Sequence, residues 1–561
     1  MADRALPVLA PRRRIVVVAA IAILWSAQRV GLFDGNNLNS GGWDAFASFW
    51  AGIVDPDTSA TFIRLTLQAA GVTIAYAVLG TAVSLIIGVG GAPLLAERLW
   101  PTRAGALLRW IATAVFVVPR AVHEIVWALL LLEVFGFDPW VAVIAIGVPF
   151  GAVTAKVYAE TIDEADLRPY ELARATGARR SGALLYAVFP TIRGELVSYA
   201  FYRLECAVRS AAVVGIIGVG GLGFQLDLSF ETLNYSEIWT IIAALVLVSG
   251  LADRWSTLVR RSHGARGRLV RRWSVVAATA LFVWSWNRVD LDPSALWSER
   301  TRRRAGELVD ALWPPALGPD GWGELINATL DTAAMSIIAV VLAGAIGVIA
   351  GAVVARPTGE LEAAGPLRRT VRWLVGAVLL LLRAVPAPVW AFVVVLVVFA
   401  GPLPGAIALG VYNIGVIGRL VGEAFEERPA DAHDLALASG ASRPAAFVAV
   451  RLPDTAGRII AIVMYRWEVI VRETIVVGVV GAGGLGQLLR DHLAARDFDA
   501  LTGTILAMLL LAIVVDQLSR VVRRNLIGGV RPGRDGAHTD DEPDVADRVA
   551  ARTAMRVESA S

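Results

Sequence analysis

Long apolar runs alternate with short polar connections along this chain. At about 20 apolar residues per bilayer crossing, the first half predicts helices near 15–33, 64–92, 108–134, 138–158, 197–218 and 237–259. The second half predicts them near 272–287, 328–355, 373–398, 402–422, 459–481 and 500–522. The agreement between the two sets extends to individual residues. Tyr202, Arg203, Glu205, Arg209, Gly215, Gly218, Gly220, Gly221, Leu222 and Gly223 recur as Tyr465, Arg466, Glu468, Arg472, Gly478, Gly481, Gly483, Gly484, Leu485 and Gly486, each 263 residues later. The same offset pairs Thr66 with Thr329, Arg120 with Arg383, Trp127 with Trp390, Glu160 with Glu423, Pro190 with Pro453, and Arg260 with Arg523. An ungapped offset over such a span is a tandem duplication, with a period too long for a solenoid.

Composition identifies the solvent. Hydrophobic residues make up 56% of the chain and charged residues 18%, against roughly 25% charged in a soluble domain. The surroundings are a lipid bilayer. The net charge is +3, and Lys156 is the only lysine among the 52 basic residues. No basic stripe interleaved with aromatics is present, so nucleic acid is not an expected partner. The single cysteine, Cys206, lies in an apolar run and reads as a small buried side chain. Arg12, Arg13 and Arg14 precede the apolar run Ile15 to Trp25 in the manner of a signal peptide. No small-residue cleavage site follows, and a similar run, Trp273 to Trp286, opens the second half. Both are read as retained helices.

Charge then orients the chain. The arginines at 12–14, those from Arg260 to Arg272, and Arg520, Arg523 and Arg524 share one side if each half crosses an even number of times. By the positive-inside rule that side is the cytoplasm, which places both termini there, together with the loops from Glu160 to Arg193 and from Glu423 to Arg458. Arg300, Arg302, Arg303 and Arg304 fall on the opposite side and suggest an interfacial amphipathic segment. Beyond Arg531 the chain turns acidic and is expected to be disordered. The expected organisation is a first unit over 1–262 with its core near 62–261, a connector with helix and external loop over 263–327, a second core over 328–524 and a polar tail over 525–561.

Two loops carry a shared pattern. Glu171-Leu172-Ala173, Gly177 and Phe189-Pro190 recur as Asp434-Leu435-Ala436, Gly440 and Leu452-Pro453. Each predicts a short helix closed by its glycine, which tolerates the left-handed conformation. The proline then begins the next membrane helix, where a missing N–H costs nothing. The pattern resembles the Glu-Ala-Ala loop of ABC importer permeases, with Asp434 departing from the usual glutamate. In that family the loop docks into an ATPase subunit. The fifth helices, with Tyr-Arg-x-Glu, a later Arg and the run Gly-x-Gly-Gly-Leu-Gly, are similar to the phosphonate/phosphate branch. Arg120 with Trp127-Ala128, Arg383 with Trp390-Ala391, and the closing Asp253-Arg254-Trp255-Ser256 and Asp516-Gln517-Leu518-Ser519 extend that resemblance.

The resemblance implies an all-α integral membrane protein: two tandem six-helix type I importer domains, about twelve helices, related by a pseudo-two-fold axis. One chain would then replace a permease dimer. It implies two ABC ATPase subunits and an extracytoplasmic binding protein as partners, with ATP and Mg on the ATPase and no cofactor or metal on this chain. It assigns ATPase coupling to Glu171, Ala173, Gly177, Pro190, Asp434, Ala436, Gly440 and Pro453. The sole lysine lies between Ala155 and Val157, so the sequence contains no Gly-x-x-x-x-Gly-Lys-Ser/Thr loop for nucleotide phosphates. Nothing resembles a nucleophile triad, and no catalytic residue is expected.

Ionisable groups in membrane helices are costly, and two readings stand for them. Glu205 with Arg209, and Glu468 with Arg472, are four residues apart and can neutralise each other. Alternatively they line a substrate path with Arg120, Arg203, Arg383 and Arg466. Arg203 and Arg466 have no obvious local partner in sequence, and a guanidinium fork suits phosphate or phosphonate oxygens. Lys156 and Arg419 read as snorkelling residues, and His123 as a packed residue. Gly218, Gly220, Gly221 and Gly223, with Gly481, Gly483, Gly484 and Gly486, either allow close helix packing or break the helix to form a gate. The expected function is import of phosphonate, phosphate or a related phosphorus oxyanion across the bacterial cytoplasmic membrane. An importer of betaine, methionine or another organic solute, and a gradient-driven secondary transporter of two six-helix repeats, are the alternatives.

Overall fold

The computed structural model describes residues 6–35, 37–100, 102–262, 264–318, 321–356, 365–427 and 431–527. The expected tail beyond Arg531 lies outside the described residues. Among the described residues the regular structure is helical, apart from one isolated antiparallel bridge between Leu38 and Val398. In chain order the helices are α1 (Leu6–Arg29), α2 (Trp43–Ala51), α3 (Ala60–Leu95), α4 (Arg103–Ala121), α5 (Glu124–Phe135), α6 (Pro139–Glu164), α7 (Arg168–Ala175), α8 (Arg180–Val219), α9 (Leu222–Glu231) and α10 (Tyr235–Arg261). There follow α11 (Gly264–Arg288), α12 (Glu299–Ala311), α13 (Gly321–Val354), α14 (Pro366–Ala384), α15 (Ala387–Val395), α16 (Pro402–Glu426), α17 (Asp431–Ala438), α18 (Arg443–Ala482), α19 (Gly484–Ala494) and α20 (Phe498–Ile527). Short 3₁₀ turns join several of them.

Seven of the described helices, α3, α4, α6, α10, α13, α16 and α20, are each long and apolar enough to cross a bilayer. Three bent pairs, α8 with α9, α14 with α15 and α18 with α19, raise the number to ten. The leading helices α1 and α11 have 24 and 25 residues, about 36 Å at 1.5 Å per residue. Their apolar runs are shortened by arginines at one end. The arginine-rich segment near residue 300 forms the amphipathic helix α12, which buries none of its residues fully.

Packing gathers the chain into two compact units, residues 48–313 and residues 1–47 with 314–561. The sequence-based units follow chain order, whereas packing exchanges the leading helices between the repeats. Helix α1 packs on α13 of the second repeat, and α11 packs on α3 of the first. Polar anchors accompany the exchange. Arg29 Nε lies 2.7 Å from Asp331 Oδ1, and its Nη2 donates to Asn327 Oδ1 at 2.9 Å. Asp331 occupies the repeat position of Gln68, whose carbonyl accepts from Arg288 Nη2 at 3.1 Å. Each leading helix is thus anchored by an arginine, which meets a carboxylate in the second repeat and a backbone carbonyl in the first.

Within each unit the core is a close helix pair. In the first, Gly80, Gly88 and Gly91 of α3 face Ile146, Thr154 and Ala155 of α6, and Ser84 shares a 3.0 Å hydrogen bond with Thr154. Gly347 and Gly351 of α13 meet Ile417, Gly418 and Val421 of α16 in the same way. Small residues let helix backbones approach where lipid supplies no hydrophobic drive.

The runs expected as single helices over 108–134 and 373–398 are each broken in two. Helix α14 turns into α15 through 94°. Val385 precedes Pro386 and is extended (φ −83°, ψ 123°), because the proline ring excludes the helical region for the residue before it. In the first repeat Val122 and His123 are both extended, and His123 Nδ1 caps α5 by accepting from the Ile125 N–H at 3.3 Å. His123 is therefore a capping residue. Arg120 and Arg383 lie in the last turns of α4 and α14, not mid-helix as expected.

Candidate functional site

The two loop helices form as their sequences require. Helix α7 contains Glu171 and Ala173 and passes into Gly177 at φ +91°; α17 contains Asp434 and Ala436 and passes into Gly440 at φ +90°. In the first, the Gly177 N–H donates to Arg174 O and the Ala178 N–H to Ala173 O, both at 3.0 Å. In the second, Gly440 donates to Leu437 O at 3.0 Å and Ala441 to Ala436 O at 3.1 Å. This paired bond pattern satisfies the terminal carbonyls and depends on the left-handed glycine. Each helix presents its leucine outward, with Leu172 70% exposed and Leu435 71%.

The prolines stand as expected in the first turn of the long α-helical segments Phe189–Val214 and Leu452–Val477. Wide turns over Leu184–Val188 and Phe447–Arg451 join these segments to the short leading helices Arg180–Ala183 and Arg443–Ala446. A π-type turn bonds i to i+5 and accommodates the helix interruption that a proline imposes.

On α8, the buried Arg203 is held by aromatics. Its Nε donates to Tyr199 Oη at 2.8 Å, and its guanidinium lies 5.0 Å from the ring centres of Phe150 and Tyr199 and 5.6 Å from that of Tyr202. These are cation–π distances. Its repeat partner Arg466 is held by acceptors. Its Nε donates to Asn413 Oδ1 at 3.0 Å and its Nη2 to Glu473 Oε1 at 3.1 Å, while Asn413 Nδ2 donates to Glu473 Oε2 at 2.9 Å. Arg466 therefore has local partners, contrary to expectation. Asn413 stands where the first repeat has Phe150, and Glu473 where it has Ser210. Ser210 in turn donates to Glu124 Oε1 at 2.6 Å. Replacing Asn413 by leucine is expected to cost about 1.5–3 kcal/mol, the range for a hydrogen bond to a charged group. A lowered unfolding midpoint of the purified protein would register it.

Glu205 and Glu468 are both buried or nearly so, and each faces an arginine of its unit's closing membrane helix. Glu468 Oε1 lies 2.8 Å from Arg523 Nη1, which also donates to Ser519 Oγ at 2.9 Å. Glu205 Oε2 lies 3.7 Å from Arg260 Nη1, and its other oxygen 3.8 Å from Arg209. The expected Glu205–Arg209 neighbourhood is present, and Glu468 forms its ion pair with Arg523. Sequence reasoning about helix spacing missed Arg260 and Arg523, although both obey the 263-residue offset, as do Ser256 and Ser519.

The glycine runs break their helices. Gly218, Gly220 and Gly221 have φ of +97°, +100° and +84°, and Gly481, Gly483 and Gly484 have +104°, +85° and +68°. The axis bends by 54° from α8 to α9 and by 59° from α18 to α19. Gly223 and Gly486, which follow, serve close approach: an added Cβ would lie 1.9 Å from Ala212 O or 2.2 Å from Ile475 O. Threonines receive the freed N–H groups, Leu222 N donating to Thr73 Oγ1 at 2.8 Å and Leu485 N to Thr332 Oγ1 at 2.9 Å. The two threonines are not repeat mates, so capping is conserved while its source shifts by a helical turn. The break is present in both repeats, and its N–H groups are satisfied by the protein, as backbone at membrane depth must be.

The family model described as "Binding-protein-dependent transport system inner membrane component" matches residues 80–262 and again 347–528. The chain is 28% identical over 466 residues to the "Phosphate-import permease protein PhnE" of Mycolicibacterium smegmatis, covering 81% of this chain and 84% of that protein. It is 28% identical over 250 residues to the "Phosphite transport system permease protein PtxC" of Stutzerimonas stutzeri, covering 44% of this chain and 88% of that one. A third similar protein is the "Putative cryptic phosphonate transport system permease protein PhnE2" of Escherichia coli, 33% identical over 109 residues, 19% of this chain and 89% of that one.

Proposed function

This chain belongs to the inner membrane components of binding-protein-dependent transport systems, and from that premise we propose that it carries both permease halves of an ATP-driven importer of phosphate, phosphonate or a related phosphorus oxyanion. The observation that carries the reading is the repeated pair of short helices α7 and α17, each closed by a left-handed glycine and presenting an exposed leucine. A separate ATPase, one subunit on each helix, would dock there, and an extracytoplasmic binding protein would deliver the anion on the opposite side. Both termini would then be cytoplasmic. The substrate class rests on the relatives' names, and the guanidinium groups of Arg203, Arg466, Arg120 and Arg383 suit an oxyanion, which at Arg466 would exchange with Glu473.

Helix α7 packs on the first turns of α8, and α17 on those of α18, and polar bonds join the membrane helices on either side. Arg451 Nη2 donates to Phe425 O at 3.0 Å and Arg458 Nη1 meets Glu427 Oε2 at 2.6 Å, joining the end of α16 to the start of α18 around α17. Tyr158 Oη donates to Leu196 O at 2.8 Å, joining α6 to α8 around α7. A push on α7 or α17 therefore reaches the helices that carry Arg203 and Arg466, and through them the glycine breaks.

The test is substrate-stimulated ATP hydrolysis by the chain reconstituted with its ATPase and binding protein, with phosphate, phosphite, methylphosphonate and glycine betaine as cargo. Stimulation by a phosphorus oxyanion is expected, and its loss in the double variant Gly177→Val, Gly440→Val, whose β-branched side chains oppose a positive φ. Stimulation by betaine alone would reject the substrate class. Failure to form a complex with any ATPase would reject the importer.

A further inference from the structure

A groove of about 240 Å³ runs between α4 and α6 of the first repeat. Its α4 wall includes Arg109, Thr113, Phe116 and Arg120, and its α6 wall Ala152, Lys156, Ala159 and Asp163. Both sets follow the three-and-four spacing of a single helix face. Arg120 and Arg109 are eleven residues apart, about 16 Å along the axis, with Lys156 on the opposite wall between them. The three cations thus form a row leading toward the end of α6, next to α7. A lipid-facing surface would not be lined by so many ionisable groups.

The carboxylates along the groove are arranged so that the row can exchange partners. Asp163 is committed to backbone, its oxygens accepting from the Glu97 and Arg98 N–H groups at 2.8 and 2.9 Å. Lys156 is 52% exposed and stands 3.6 Å from Glu160, and Arg109 meets an exposed Glu97 at 3.2 Å. Exposed pairs of this kind are weak. A passing oxyanion can displace one carboxylate at a time without being trapped, as conduction requires. The second repeat keeps the row: Arg372, Arg419 and Arg383 stand at the positions of Arg109, Lys156 and Arg120, with Arg419 3.1 Å from Glu423. Three cations retained through a duplication, one of them with lysine exchanged for arginine, point to charge as the preserved property.

We infer that the α4–α6 groove is a transit site at which a tetrahedral phosphorus oxyanion leaves toward the α7 side, passing from Arg120 to Lys156 to Arg109. This rests on the importer reading above and adds a route and a residue, Lys156, that the snorkelling interpretation left without a role.

Because Lys156 is the only lysine, reductive ¹³C-methylation, which keeps its charge, labels one side chain and the amino terminus, and the latter serves as an internal control. The full chain in phosphatidylcholine nanodiscs is titrated with inorganic phosphate, methylphosphonate, chloride and glycine betaine at matched ionic strength, and separately placed in phosphatidylglycerol-containing discs. A saturable shift of the Lys156 signal with phosphate and methylphosphonate alone is expected, its midpoint raised severalfold in Arg120→Gln. An unmoved signal, or an equal response to chloride, would overturn the site. A response to phosphatidylglycerol without one to phosphate would assign the groove to a lipid headgroup and overturn transit. Phosphate uptake by the reconstituted transporter separates the failures: intact uptake with a silent Lys156 rejects the groove alone, whereas absent uptake rejects the importer reading beneath it.

Discussion

Gly486→Ala is expected to abolish transport and to lower the unfolding midpoint of the purified chain far more than Gly481→Ala does. At Gly486 the new Cβ would stand 2.2 Å from Ile475 O and 2.9 Å from Gly478 Cα, so it meets backbone and no side chain can rotate away. Overpacking a core costs typically about 1–3 kcal/mol, and a backbone-to-backbone clash belongs at or beyond the top of that range. At Gly481 the added Cβ meets nothing within 4 Å, and only the φ of +104° opposes it, a cost of roughly 1–2 kcal/mol. Gly223→Ala should match Gly486→Ala, since its Cβ would lie 1.9 Å from Ala212 O. The comparison separates two uses of glycine within one motif: bending the chain at the first, and letting α19 pack back against α18 at the last. Equal midpoints for the two variants would remove the close approach as the reason for Gly486.

How much of this was legible in the sequence depended on whether a feature was local and repeated. The two short helices were, because Gly177 and Gly440 fix a helix end through a handful of neighbouring backbone bonds. The glycine breaks were legible only as one of two readings of the repeated run, and their division of labour was hidden in contacts that only packing creates. The broken third helices were not, because Val115 to Leu132 reads as one apolar run apart from Pro119, Arg120, His123 and Glu124. Hydropathy does not register that Pro386 or a histidine cap stops one helix and starts another. The exchange of α1 and α11 was also invisible, since the two repeats offer similar apolar surfaces. It is accompanied by Arg29 at Asp331, where the other repeat has Gln68. For the two membrane-helix glutamates, helix spacing identified Arg209 as a neighbour of Glu205. It could not find Arg260 or Arg523, which are distant in the chain and brought near by packing.

The Glu468–Arg523 pair decides between the two roles open to the buried glutamates. Arg523→Met is expected to destabilise the chain by about 3–5 kcal/mol, because removing one partner of a buried pair leaves an uncompensated charge. Glu468→Gln combined with Arg523→Met should recover most of that loss, since replacing both partners is often close to neutral. Unfolding midpoints of the single and double variants measure the coupling directly. In the first repeat Arg260→Met should cost less, because Glu205 retains Arg209 at 3.8 Å and its contact with Arg260 is longer, 3.7 Å against 2.8 Å. Transport by the double variant then assigns the role. If stability and uptake return together, the pair is a clasp between α18 and α20. If stability returns while uptake stays lost, Glu468 also acts in the path, which requires its charge and not merely its neutralisation.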